Sequence, residues 1–138
     1  MEVDRRPASP RPEAARTFGV YVGGAWSRAT FPPALVPEGD PARRLDVAVL
    51  SEQVLGPLLG IGDVRTDPRI DFVGGSRGIE GLEERVDSGG FAVAFAVYPT
   101  RIDDVMTVAD AGQVMPPKST WFEPKLRSGL LILATGPA

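Results

Sequence analysis

The sequence predicts an α/β protein: a layered mixed sheet with a parallel strand-helix-strand crossover and helices packed on it. Three observations predict it. Apolar residues alternate with a period of two in "TFGVYV" and in "FAVAFAVY", which is the signature of strands. Apolar residues recur at helical spacing at Val47, Leu50, Val54 and Leu58, and again at Ile79, Leu82 and Val86. A strand, a helix and a second strand following one another over 70–98 are expected to form a right-handed parallel crossover.

Each element has its own local reason. Residues 1–16 are rich in proline, arginine and alanine and have no period, so they read as a disordered tail or a truncated start. Residues 17–136 read as one α/β domain. The first strand alternates Phe18, Val20 and Val22 against Gly19, Tyr21 and Gly23, and Gly23-Gly24 suggests a turn or bulge with "RATF" as a hairpin return. The spacing predicts a helix over 45–55, which Gly56-Pro57 ends or kinks because proline lacks the amide that a helix needs. "RIDFVG" (69–74) reads as a short strand, and "GSRGIEGLEERVDSGG" as a helix stopped at Gly89-Gly90.

The next strand, "FAVAFAVY", is apolar on both faces, which marks a central strand covered on two sides. Its alanines leave room for a helix to approach. "TRIDDVMTVADAGQ" reads as a helix whose stripe is Ile102, Val105, Met106 and Ala109, with Thr100 as N-cap and Asp103-Asp104 at its positive end. "TWFEP" and "GLLILAT" read as two strands, or as a strand and an extended lead-in.

Composition narrows the chemistry. A chain of 138 residues, 43% hydrophobic and 24% charged, suits one globular core. The net charge of −3 argues against general nucleic-acid binding, which requires a basic footprint. No apolar stretch approaches the roughly 18 residues of a membrane span. The chain has neither cysteine nor histidine. Thiolate and imidazole metal sites are therefore excluded within it, as are serine–histidine and cysteine–histidine nucleophile systems. No metal site is expected. Carboxylate, lysine, arginine, hydroxyl and backbone chemistry remain, and the chain reads as catalytically incomplete on its own. The absence of thiols fits a cytoplasmic location.

Two connections carry the candidate ligand-binding residues. In "DFVGGSRGIEGLEERV", Gly74, Gly75 and Gly78 lie between an expected strand and helix, where backbone amides suit an anion and Arg77 can add a guanidinium. The same spacing also suits a tight turn that needs positive φ, and that is the preferred reading from spacing alone. In "MPPKSTWFEPK", Lys118, Ser119, Thr120 and Lys125 can donate to phosphate or carboxylate oxygens. Pro116-Pro117 stiffens the approach, and Trp121 and Phe122 can wall a pocket. A loop whose prolines end a helix and whose aromatics anchor a strand explains the same residues equally well. The acids Asp63, Asp67, Asp71 and Asp87, with Arg65, Arg69 and Arg85, read as a solvated surface network.

The stretch from "DVAVLSEQVLGPLLGIGDVRTDPRIDFVGGSRGIEGLEERV" through "MPPKSTWFEPKLRSGLLI" resembles the carboxy-terminal part of a bacterial and archaeal family known as domain of unknown function 1015. "MPPKSTWFEPKLRSGL" is its most characteristic string, and the resemblance covers about residues 17–134. Longer members carry an Asp-Gly-His-His-Arg string like that of the ParB and sulfiredoxin-like group, which includes a free-serine kinase. This chain has no histidine and so no such string. The resemblance implies an anion-binding module of a larger, kinase-like metabolic enzyme linked to serine, handling a phosphate, carboxylate or nucleotide with magnesium. The implied partners are the missing amino-terminal portion, or another chain, and a small anionic molecule. The alternative is a structural or interaction module with no ligand of its own, anchoring a domain or dimer interface through Trp121 and Phe122.

Overall fold

A computed structural model describes residues 2–5 and 9–120. Within them the sheet has four strands, all antiparallel, in the order β1-β3-β2-β4, with β1 at Glu2–Asp4, β2 at Thr17–Val22, β3 at Ala25–Thr30 and β4 at Ala94–Val97. The expected parallel crossover is therefore absent. Its first strand does not form: residues 69–74 pair with no strand, and Phe72 is exposed. Three apolar residues beside two glycines have the composition of a strand but no neighbour among the described residues to complete its hydrogen bonds. With that strand gone, β4 returns antiparallel beside β2, placing Phe18 opposite Val97 and Tyr21 opposite Ala94. β4 is also an edge strand among the described residues rather than the expected central one.

The β2-β3 hairpin follows from its turn. Val22 pairs with Ala25, so Gly23 and Gly24 form a two-residue loop with φ of 59° and 76°. Only glycine accepts two consecutive positive φ values without strain, and this turn matches the twist of the flanking strands. The register sorts the two faces. Phe18, Val20, Ala29, Phe95 and Val97 share one face; Gly19, Tyr21, Trp26, Arg28, Ala94 and Ala96 share the other.

On the first face lies the core, where Phe18 meets Phe31 edge to face at 5.0 Å and clusters with Val49, Leu50, Leu55 and Ile61. The helical residues come from one continuous rod: α1 at Asp46–Leu50, a π turn at Ser51–Leu55 and α2 at Gly56–Leu59. The helix thus passes through Gly56-Pro57 instead of ending there. Pro57 cannot donate and its ring would crowd the carbonyl four residues back. The wide turn relieves this, with the Gly56 amide reaching back to the Ser51 carbonyl. The extra residue also moves the buried stripe. Val49 and Leu50 are buried before the turn and Leu55 after it, while Leu58, expected on the stripe, is exposed.

The second face is covered by α3, Glu80–Asp87, and by the residues expected to be a tail. The Tyr21 hydroxyl donates to Asp87 (3.0 Å) and the Trp26 indole to Glu83 (2.7 Å), fastening α3 over Ala94 and Ala96, whose small side chains leave the space. Desolvation, reinforced by the Asp87 bond, raises the Tyr21 pKa above its ordinary value. The amino-terminal segment crosses the same face as a strap, where Arg28 Nη2 donates to the Ser9 carbonyl at 2.9 Å. The Pro10 carbonyl oxygen lies 2.4 Å from where a Cβ of Gly19 would stand.

α4, Ile102–Asp110, forms where expected but is turned on its axis. Val108 is buried, whereas Ile102 and Met106 are 62% and 58% exposed. Arg101, not Thr100, is the N-cap residue, its amide donating to Asp104 at 3.1 Å. The Thr100 hydroxyl is committed elsewhere, to the Ser119 carbonyl at 2.7 Å. The strands expected in 121–134 lie outside the described residues.

Gly19→Ala tests the strap. A methyl group there meets backbone at 2.4 Å, the Trp26 ring at 3.0 Å and the Ala96 Cβ at 3.1 Å. The variant is expected to lose about 1 to 3 kcal/mol, read as a lower urea midpoint, and the Arg11 amide on the strap should exchange faster.

Candidate functional site

The segment "PPKS" forms a turn whose geometry follows from its two prolines. The Ser119 amide donates to the Pro116 carbonyl at 3.3 Å, closing a four-residue turn around Pro117 and Lys118. Proline at the second position, with φ near −65°, suits either common turn, and positive φ at the next residue makes this one a type II turn. That residue is Lys118, at φ 58°. Glycine or asparagine is the usual occupant, and a lysine costs roughly 1 to 2 kcal/mol more in this conformation. The Ser119 hydroxyl donates to Pro116 O at 2.6 Å, and Thr100 ties the Ser119 carbonyl to the start of α4. The loop is thereby rigid, with Lys118 exposed at its tip.

The second connection is also a turn. Gly75–Arg77 form a single 3-10 turn with amides of Arg77 and Gly78 donating to the carbonyls of Gly74 (3.0 Å) and Gly75 (3.2 Å). Gly78, at φ 69° and ψ −167°, occupies a region closed to other residues. α3 starts only at Glu80, and Glu80 and Glu83 already occupy its positive end. The expectation that first helical amides of 75–90 await an anion is corrected accordingly: the helix begins later, and its own carboxylates meet its dipole. The Gly75 amide makes no hydrogen bond among the described residues.

Both turns border one cavity of about 1000 Å³, which runs along β4 between the two layers of the fold. Gly74, Gly75 and Gly78 contribute to its lining, and so do Lys118, Ser119 and Thr120. Its walls are apolar: Leu50 and Leu55 from the helical rod, Leu82 and Val86 from α3, Phe95 and Val97 from β4. Arg77 is exposed and does not border it. Ser119 borders it but has spent its one donor on Pro116. Lys125, Trp121 and Phe122 lie outside the described residues.

Three further guanidinium groups reach the lining. Arg69 is held by Asp67 at 2.6 Å and by the Gly60 carbonyl at 2.8 Å, and Arg85 pairs with Asp71. Arg11 and Lys118 have no carboxylate within ion-pair distance among the described residues. Arg11 arrives on the strap, with Nη2 3.4 Å from where a Cβ of Gly78 would stand, and the Glu80 carboxylate lies against the same glycine. Sequence reasoning missed Arg11 because a proline-rich stretch without period carries no signal of where it will lie.

The acidic residues pair locally: Asp63 with Arg65 at 2.9 Å, Asp67 with Arg69, and Asp71 with Arg85. Asp87 instead takes the Tyr21 hydroxyl, a role its surroundings in the sequence do not announce. No group of three or more carboxylates able to hold a metal occurs among the described residues, and none of their helices is long and apolar enough to cross a membrane. Side-chain hydrogen bonds from Arg65 and Arg69, then the backbone amides of the same residues, hold Asp63 and Asp67 down to about 2. Asp46 moves the other way: burial raises its carboxyl, although the Arg16 amide donates to it at 2.9 Å.

Fold and cavity together define a class: a small domain of antiparallel sheet between a helical rod and a second layer of helix and strap, with an apolar cleft bordered by cations that have no carboxylate partner among the described residues. Comparisons with protein-family models, with curated proteins and with solved structures find no match to this chain.

Two outcomes follow. A carboxyl whose pKa is lower in the folded state stabilises it above the ordinary value near 3.8, and that contribution disappears as pH falls through about 2. The urea midpoint should therefore drop between pH 4 and pH 2, and Asp63→Asn with Asp67→Asn should flatten the drop. Separately, Lys118→Gly should raise stability by up to ~1 kcal/mol, the relief of positive φ exceeding the entropy that glycine adds to the unfolded chain. Lys118→Ala, which keeps the strain, should leave stability nearly unchanged; thermal unfolding of both variants checks this.

Proposed function

We propose that this chain is a ligand-binding module whose cavity takes a small organic anion, with the catalytic groups supplied by another polypeptide segment. One observation supports it above the others: Lys118 and Thr120 from one turn, and Gly74, Gly75 and Gly78 from another, border the same cavity although about forty positions separate them in sequence. Lys118 supplies the charge, Thr120 a hydroxyl and Gly75 an amide. The strain accepted at Lys118 agrees with this role, since residues held in unfavourable backbone regions gather at sites of function. The resemblance of the "MPPKSTWFEPK" block to the domain of unknown function 1015 family points the same way. That resemblance implies a larger cytoplasmic enzyme, kinase-like and linked to serine metabolism, that uses a nucleotide with magnesium.

A second reading has its own support. Ile102 and Met106 lie one turn apart on α4 and are exposed, as is Val114 beyond it, and such an apolar surface suits an interaction module.

The anion reading is tested by thermal unfolding of the full chain with inorganic phosphate, phosphoserine, magnesium ATP and aliphatic carboxylates, each beside a neutral analogue. At about 100 times Kd a ligand adds roughly 2.7 kcal/mol, a shift on the order of 10 °C for a domain of this size. At least one anion should produce it. Lys118→Ala should weaken that anion by about tenfold or more, the loss of one charge-assisted hydrogen bond. No shift with any anion at millimolar concentration would overturn the reading.

A further inference from the structure

We infer that the ligand is an amphiphilic monoanion, a carboxylate carrying an apolar chain, and not a nucleotide or a phosphorylated amino acid. This rests on reading the cavity as an anion site and specifies what enters it. The reason is that most charged groups of the lining are already paired. Asp71 pairs with Arg85, Arg69 with Asp67, and Glu52 takes both nitrogens of Arg43 at 2.8 Å. The Thr100 and Ser119 hydroxyls donate to backbone carbonyls. Among the described residues, Lys118 and Arg11 are left as the lining cations without a carboxylate partner.

Behind them the walls are Leu50, Leu55, Leu82, Val86, Phe95 and Val97, contributed from both layers. A nucleotide would bring several phosphate charges to two cations and lay the polar edges of base and ribose against leucine, valine and phenylalanine, where unmatched polar groups carry a desolvation penalty. Phosphoserine has no apolar part to use those walls at all. A fatty carboxylate matches both features. Its single charge meets the cationic rim, and its methylenes leave water for the apolar walls. The cavity volume of about 1000 Å³ lies at the upper end of the range for small-molecule sites.

Isothermal titration calorimetry on the full chain decides the matter, with hexanoate, octanoate, decanoate, decanol, phosphoserine and magnesium ATP as probes. Decanoate is expected to bind most tightly, and affinity should rise about fourfold for each methylene from hexanoate upward. Lys118→Ala should weaken decanoate by about tenfold and leave decanol unaffected. Phosphoserine or magnesium ATP binding more tightly than decanoate would overturn this inference while sustaining the anion reading. Decanol binding as tightly as decanoate would overturn it too, because the carboxylate would then contribute nothing. Silence from every probe would overturn both readings and leave the cavity to another segment or a second copy of the chain.

Discussion

The rest of the structure depends on a missing side chain in the middle of β2. Gly19 stands opposite Arg28 on one neighbour and Ala96 on the other, and its bare backbone lets the Pro10 carbonyl settle against the sheet. With the strap and α3 on this face, the helical rod takes the other, where Phe18 is 1% exposed. Because successive side chains alternate, a slip of one residue in β2 would place Phe18 under the strap and a glycine in the core. The strap in turn carries Arg11 to the rim of the cavity. A glycine in a strand thereby helps to position a cation near a loop some sixty residues away.

The site owes its character to two layers that, among the described residues, do not close at one end. The helical rod and α3 cover opposite faces of the sheet, and at β4 their apolar sides both border the same space. The fold brings charge there sparingly. Most arginines along this boundary meet an aspartate two to fourteen positions away in the chain, so the local sequence neutralises them before tertiary structure can use them. Lys118 escapes because its turn holds no acid, and Arg11 because its strap crosses a face where Glu80 is near without pairing. Selective neutralisation, more than the count of basic residues, decides which cations are left for a ligand.

Much of the local structure was legible in the sequence. The alternation of β2, the glycine pair that turns it into β3, the stop at Gly89 and the extent of α4 all follow from short-range chemistry. What was not legible depended on partners distant in the chain. "RIDFVG" has the composition of a strand, yet strands exist only when a neighbour accepts their hydrogen bonds; without one among the described residues, the parallel crossover expected there gives way to an antiparallel sheet. Spacing predicts a stripe of Ile102, Val105, Met106 and Ala109 on α4, but packing buries Val108 and leaves Ile102 and Met106 exposed. Among the candidate binding residues, the tight turn at Gly74–Gly78 was visible in spacing, whereas the positive φ of Lys118 was not. The exclusion of Arg77 and the commitment of the Ser119 hydroxyl were not, because each is settled by a few ångströms of tertiary placement.

The π turn at Ser51–Leu55 has a consequence for everything that leaves the rod. A regular helix advances about 100° per residue, so removing one residue there would swing Gly60, with the loop that follows it, through more than a quarter circle. Ile61, whose amide now closes the end of the rod on the Leu55 carbonyl at 2.9 Å, would face solvent rather than Phe18. Chain length in this short window thus behaves as an angular setting, and insertions or deletions there should be tolerated far less well than substitutions of similar size.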